Sequence, residues 1–112
     1  MKTEIYIGTI LLERNRWTRD KKPTCLVSEW IPRFKEAGFD GMELWENHAA
    51  LASSTELKAL EESSFPVSVF NSYATFDDAG QAAREQAARL TSLLKARAVK
   101  FNLGNNVNDK DL

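Results

Sequence analysis

The chain has 112 residues, with 15 basic and 16 acidic side chains and a formal net charge of -1. That length suits one hydrophobic core and not two, and the charge balance excludes a polyanion binder acting through bulk charge. No run approaches the roughly 20 apolar residues that cross a bilayer, and Met1-Lys2-Thr3-Glu4 leads into strand-like sequence without the apolar core of a signal peptide. One cysteine, Cys25, cannot form an internal disulfide, and no second Cys or clustered His stands beside it for a zinc site. The expected setting is cytoplasmic, with no membrane and no nucleic-acid partner.

In chain order, Ile5-Tyr6-Ile7-Gly8-Thr9-Ile10-Leu11 comes first. It is β-branched and apolar on both parities, the pattern of a strand buried on both faces of a parallel sheet. A polar stretch from Glu13 to Thr24 follows, with Arg14, Arg16, Arg19, Lys21 and Lys22 around Trp17. Val27, Trp30, Ile31, Phe34 and Ala37 then recur at spacings of three and four, one apolar stripe of a helix. Ser28 is placed to cap it, Pro32 to fall in or just after its first turn, and Gly38 to end it in a left-handed conformation.

Gly41-Met42-Glu43-Leu44-Trp45 reads as the second strand, followed by a polar elbow at Glu46, Asn47 and His48. Ser53 with Glu56 is a capping box, and the short helix it opens carries Leu57 and Leu60. Pro66 restarts an extended run, Val67-Ser68-Val69-Phe70, leading to Asn71-Ser72-Tyr73. Asp77 or Asp78 caps a third helix whose buried face is Ala83, Ala87, Leu90 and Leu94. A last strand, Ala98 to Leu103, ends at Gly104 and a polar tail, in which Asn108 to Leu112 reads as the cap and first turn of a further helix.

The order is β-α-β-α-β-α-β, which implies a parallel sheet. A nucleotide-binding doubly wound sheet needs a Gly-rich turn after its first strand. Here that turn is Leu12-Glu13-Arg14-Asn15-Arg16, with no glycine, and a P-loop is missing as well. A flavodoxin-like or response-regulator sheet would need a fifth strand and an acidic or hydroxyl-rich first loop, and this one is basic, so the (β/α)8 barrel gains weight by subtraction. Since a complete barrel takes at least about 200 residues, the expectation is a single partial domain over residues 1–112, strands 1 to 4.

Sites in parallel α/β proteins lie at the carboxyl ends of the strands. That edge collects Glu13, Arg14 and Arg16 after the first strand, and Glu43, Trp45, Glu46, Asn47 and His48 at the second. Asn71, Ser72 and Tyr73 follow the third strand, and Asn102, Asn105 and Asn106 the fourth. Glu43 stands out because it interrupts an apolar strand, where a carboxylate needs a partner or a metal. Alternation turns it away from Met42 and Leu44, toward the barrel lumen; a structural ion pair with a lumenal Arg or Lys is the plainer reading. His48, the sole histidine, is either a surface or capping residue or an acid, base or ligand near Glu43. Arg14 and its basic neighbours suit a phosphate or carboxylate, or simply a solvated loop. Trp17, Trp45 and Tyr73 are aromatic covers for a ligand, with core packing the alternative for Tyr73. Asn71 and Asn102 complete the candidate substrate contacts, and Cys25 reads as an inert, partly buried residue.

Gly38-Phe39-Asp40-Gly41-Met42-Glu43-Leu44-Trp45-Glu46-Asn47-His48 resembles the second βα unit of the xylose isomerase-like barrel superfamily, the sugar phosphate isomerases and epimerases that also include endonuclease-IV-type enzymes. Ile7-Gly8-Thr9 is similar to the usual first strand, Ser28-Glu29-Trp30-Ile31 to the start of the first helix, and Val99 to Gly104 to the fourth strand. The run Glu43-Leu44-Trp45 with His48-Ala49 also resembles the 3-dehydroshikimate dehydratase branch. The resemblance implies a divalent metal (Mn, Co, Mg or Zn) in the complete barrel, held by two Glu, one Asp and one His of its second half, hence no metal ligand fully assembled in this chain. It implies catalytic roles on the substrate side for Glu43 and His48, with His48 a secondary metal contact if the endonuclease-type pattern applies.

The expected function is therefore the N-terminal portion of a metal-dependent sugar or sugar-phosphate isomerase or epimerase, moving a proton next to a carbonyl. A dehydroshikimate dehydratase-type lyase and a non-catalytic half barrel are the alternatives. The expected partners are a small sugar-like substrate and either a second copy or the missing C-terminal half, without which the chain is expected to be inactive.

Overall fold

The computed structural model of the chain describes residues 3–14, 17 and 19–102. Four parallel strands form one sheet in the order β1 (Tyr6–Gly8), β2 (Gly41–Trp45), β3 (Val67–Thr75) and β4 (Val99–Asn102). Helix α1 (Val27–Glu36) connects β1 to β2, α2 (Asn47–Ala50) and α3 (Ser54–Glu62) connect β2 to β3, and α4 (Gln81–Leu94) connects β3 to β4. Each strand pairs with its neighbour in sequence, so among the described residues the order never reverses. A doubly wound sheet has such a reversal, and the ligand crevice lies there.

The sheet has two unlike faces. Met42, Leu44, Val67 and Phe70 of β2 and β3 bury against Val27, Ile31 and Phe34 of α1, Leu60 of α3, and Ala87, Leu90 and Leu94 of α4. All three longer helices thus pack on one face. Strand register aligns Gly8 with Glu43, Glu43 with Val69, and Asn71 with Lys100 on the other face. There Glu43, Val69 and Asn71 are half-buried and Lys100 is exposed. Glu43 therefore points away from Met42 and Leu44, as strand alternation predicts.

Local chemistry explains where the elements depart from expectation. β1 is only three residues long, and Thr9–Leu12 turns into a 3-10 helix. The Trp45 amide donates to the Thr9 hydroxyl at 2.9 Å, so a side chain replaces the next ladder bond and pairing stops at Gly8. β3 runs on to Thr75, which puts Asn71, Ser72 and Tyr73 inside a strand rather than after one. The polar elbow contains a helical turn, α2.

Helix α1 starts at Val27, so Pro32 sits in its interior, on an exposed face where water can serve the carbonyl that loses its partner. Its N-cap is Leu26, which has no capping group, and Ser28 does not cap it. Glu56 of α3 does so from outside, accepting from the Ser28 amide at 3.0 Å and from the Ser28 hydroxyl. A carboxylate at a helix N-terminus satisfies an orphan amide and complements the dipole. Ser53 caps α3 through the Glu56 amide at 3.1 Å, while the Glu56 side chain of that expected box is committed to α1. Gly38, at φ 92, closes α1 in the left-handed region, where any Cβ is strained. Gly41 is needed for another reason: a Cβ there would collide with the buried Ser68 hydroxyl and lie 3.1 Å from the Pro66 carbonyl oxygen.

A 3-10 turn, Asp78–Gly80, precedes α4, whose N-cap is Gly80; Asp77 instead accepts from the Thr75 hydroxyl at 2.6 Å. Of the expected α4 face, Ala87, Leu90 and Leu94 are buried and Ala83 is exposed. Asn15, Arg16, Leu103, Gly104, Asn105, Asn106, the proposed terminal helix at Asn108 to Leu112, and the Asn102 side chain lie outside the described residues. No helix among the described residues is long and apolar enough to cross a membrane.

Phe70 is fully buried at the centre of the helix-covered face. Phe70→Ala is expected to lower stability by about 3–5 kcal/mol, read as a reduced urea midpoint, because the neighbouring strands and helices cannot collapse into the space left.

Candidate functional site

The carboxyl-terminal edge of β1 and β2 gathers a group of buried polar side chains. Glu13 leaves the 3-10 turn after β1 and is 2% exposed; His48 rises from α2 and is 3% exposed. Their side chains meet at 2.6 Å, Glu13 Oε2 to His48 Nε2. The segment leading into α1 closes over them. The Thr24 amide and hydroxyl donate to Glu13 Oε1 at 2.7 and 2.8 Å, and the Cys25 thiol donates to Oε2 at 3.2 Å. On the other side of the ring, His48 Nδ1 lies 2.9 Å from the Thr9 hydroxyl.

This network assigns the imidazole tautomer. Thr9 Oγ already accepts the Trp45 amide proton, which frees its own hydroxyl proton for Nδ1. Nε2 then carries the ring proton and donates it to Glu13. Burial is the largest influence on His48 and holds its pKa below the ordinary 6.5, although Glu13 and Glu56 act in the opposite direction. Burial is also the largest influence on Glu13 and pushes its pKa up, but hydrogen bonds from His48, Thr24 and Cys25 outweigh it and leave the carboxyl below its ordinary 4.5. Burial first, then the bond to Glu13 and its charge, pushes the Cys25 thiol up to about 12. A thiol so placed is protonated at neutral pH and is not a nucleophile.

Beside the cluster is a cleft of about 590 Å³ lined by Lys22, Thr24, Cys25, His48, Ser53 and Glu56 together with apolar residues. Ser53 and Glu56 already occupy the N-termini of α3 and α1 on its wall. Those helix ends are therefore not open to a phosphate.

On the far side of His48 the contacts run to the open sheet face. The Trp45 ring meets the imidazole edge-on at 5.1 Å, and Trp45 Nε1 donates to the Tyr73 hydroxyl at 2.7 Å. Lys21 Nζ sits 4.9 Å over the Tyr73 ring, and the Lys21 carbonyl accepts from Asn47 Nδ2 at 3.0 Å. Lys21 has φ 48, a left-handed conformation that costs a non-glycine residue about 1–2 kcal/mol. These contacts hold it there, so the β1–α1 segment is pinned across the ends of β2 and β3. Glu46 adds a second tie between those strands, accepting from the Ser72 hydroxyl at 3.0 Å.

Of the candidate residues, the structure brings His48, Trp45 and Tyr73 into one connected group. Both ring nitrogens of His48 are engaged, so its position orients Trp45 rather than presenting a free base. Glu43 stands apart on the open face, with no hydrogen bond among the described residues, and its Oε2 lies 3.9 Å from where a Cβ of Gly8 would be. Asn71 is half-buried on the same face, Arg14 is exposed, and Trp17 is 86% exposed. The sequence collects Glu13 at this strand edge only as the first residue of a charged loop, reads Cys25 as inert and Thr9 only as part of the first strand, and assigns a site role to none of the three. The one signal for Glu13 is position: it directly follows the apolar turn Ile10-Leu11-Leu12. Comparison with family models, curated proteins and solved structures returned no match.

The two depressed pKa values set a pH dependence. As pH falls below 6.5 the unfolded chain protonates its histidine while buried His48 resists; below 4.5 the same holds for Glu13. The unfolded state then binds more protons, so stability falls with pH. Urea midpoints in chelating buffer are expected to be flat between about pH 7 and 8 and to decline below that window; above it they decline again, because the unfolded thiol ionises near 9.0 while buried Cys25 keeps its proton. In His48→Gln, the only histidine being gone, the decline that begins near 6.5 is expected to disappear.

Proposed function

We propose that the chain forms the first four βα units of a (β/α)8 barrel enzyme that moves a proton at the carbon next to a carbonyl of a sugar or sugar phosphate, with Glu43 carrying the proton. The observation that supports this most is the setting of Glu43. It is a half-buried carboxylate without a hydrogen-bond partner among the described residues, on the sheet face opposite all three longer helices. In a closed barrel that face is the lumen, and the sequential strand order is the one a barrel requires. Tyr73 presents a part-exposed ring on the same face, held from behind by a hydrogen bond from Trp45, which is itself fully buried and so supports that ring rather than covering a ligand, and Asn71 adds an amide for a substrate hydroxyl.

Each residue then has a task. Glu43 removes and returns the proton, which supplies about 10²–10⁴-fold in rate for a well-placed group. Tyr73 packs against the carbon skeleton, buried Trp45 orients it through the indole hydrogen bond, and His48 keeps Trp45 in place. The two-Glu, Asp and His metal set implied by the resemblance has no counterpart among the described residues, so no step is routed through it. β1 and β4 present unpaired edges among the described residues, which a C-terminal half barrel or a second copy would cover.

The test is hydrogen exchange with solvent. The closed form, the chain associated with a second copy or with a C-terminal half barrel, is incubated in D2O with a divalent metal and a panel of ketoses, aldoses and their phosphates, and proton NMR follows the carbon next to the carbonyl. Deuterium is expected there for at least one substrate, with Glu43→Gln slower by about 10²-fold or more. No exchange above the protein-free blank across the panel, or full exchange by Glu43→Gln, would overturn the reading.

A further inference from the structure

We infer that Glu13, Cys25 and His48 form a binding site for a divalent transition metal of borderline softness, Zn²⁺ or Co²⁺, opening onto the cleft between the β1–α1 segment and the start of α3. The three side chains each offer one ligand atom, and these atoms all lie within 4.8 Å of one another. The separations are 2.6 Å for Glu13 Oε2 to His48 Nε2, 3.2 Å for Glu13 Oε2 to Cys25 Sγ, and 3.9 Å for Cys25 Sγ to His48 Nε2. Tetrahedral Zn²⁺ with ordinary bond lengths spaces such donors roughly 3.3–3.6 Å apart. Side-chain shifts of well under an ångström therefore convert the hydrogen-bonded triangle into a coordination triangle.

The donor set selects the metal. One thiolate, one imidazole and one carboxylate suit Zn²⁺ or Co²⁺ and not Mg²⁺ or Ca²⁺, which take oxygen ligands. The three ligands come from three separate segments: the turn after β1, the approach to α1, and α2. Cys25 and His48 both line the cleft, which leaves the fourth position to water or a ligand, the arrangement of a reactive rather than a closed structural site.

The surrounding groups suit a cation. Glu13 and Glu56 both bear on the thiol and the imidazole, and the negative charge that disfavours a bare thiolate attracts a dication. Thr9 supplies the orienting contact behind the imidazole. When metal takes Nε2, the ring proton moves to Nδ1 and is donated to Thr9 Oγ, whose hydroxyl rotates away; Thr9 serves either tautomer without moving. The proton balance is simple: the Cys25 thiol releases one proton to solvent as the sulfur–metal bond forms, and the imidazole proton is retained.

The chain contains one cysteine and one histidine, so each is its own reporter. Untagged chain is titrated with Co²⁺ and watched for the near-ultraviolet thiolate-to-cobalt band and the intense visible bands of a tetrahedral site. The expected result is saturation at one Co²⁺ per chain, a shift of the sole imidazole resonances, displacement by Zn²⁺, and loss of all three in denaturant. Thr9→Val, with its fold checked by circular dichroism, is expected to weaken Co²⁺ binding roughly tenfold or more. Absence of the thiolate band at saturating Co²⁺, saturation at one Co²⁺ per two chains, or an unshifted imidazole would overturn the site. None of these readings depends on sugar turnover, so the site and the proposed activity stand or fall separately.

Discussion

Burying the Glu13 carboxylate is the constraint on which the carboxyl-terminal edge of the sheet depends. An ionised carboxylate removed from water is tolerated only when its lone pairs are filled and charge-assisted bonds replace its hydration. Four donors do this, from two parts of the chain: His48 Nε2, and the amide and hydroxyl of Thr24 with the Cys25 thiol beside them. Satisfying one side chain thus fixes the path of the long β1–α1 connection, the placement of α2 and the entry into α1. A loop with this many charged residues has little apolar area to hold it, so the polar anchor sets its course.

A second buried carboxylate performs the matching task one layer outward. Glu56 ties α3 to the N-terminus of α1, where Leu26 offers no cap. The two helices therefore meet through a charge-assisted contact at one end and through Phe34, Phe65 and Leu60 in the core. Directional polar bonds set the relative position of the helix ends, while the nondirectional apolar cluster supplies most of the stabilisation.

The strands and helices were legible in the sequence wherever one face of an element is apolar. Val27, Ile31 and Phe34, or Ala87, Leu90 and Leu94, announce their helices by spacing, and Glu43 announces its face by interrupting Met42 and Leu44. What was not legible is decided across long separations. Glu13 and His48 are 35 positions apart, and Thr9 and His48 are 39. No local pattern distinguishes a glutamate that will be buried from its exposed neighbour Arg14. The ends of β1 and β3 were misjudged for a related reason: a threonine side chain stands in for a ladder bond in one case, and pairing with β4 is regained at Thr75 in the other. The β1 and β3 boundaries therefore depend on tertiary contacts more than on propensity.

Trp45 is where the buried cluster and the open sheet face meet. Its backbone amide holds Thr9, its ring packs on His48, and its indole N–H reaches Tyr73. A displacement of the imidazole would therefore be felt at Tyr73, on the face that carries Glu43. A change of tautomer would not, because Thr9 Oγ accepts from Trp45 in either state and only its hydroxyl proton rotates. The ring proton can therefore change sides while Trp45 and Tyr73 keep their geometry. Separation of this kind, electrostatic coupling without mechanical coupling, lets a polar centre sit one side chain away from a binding face without disordering it.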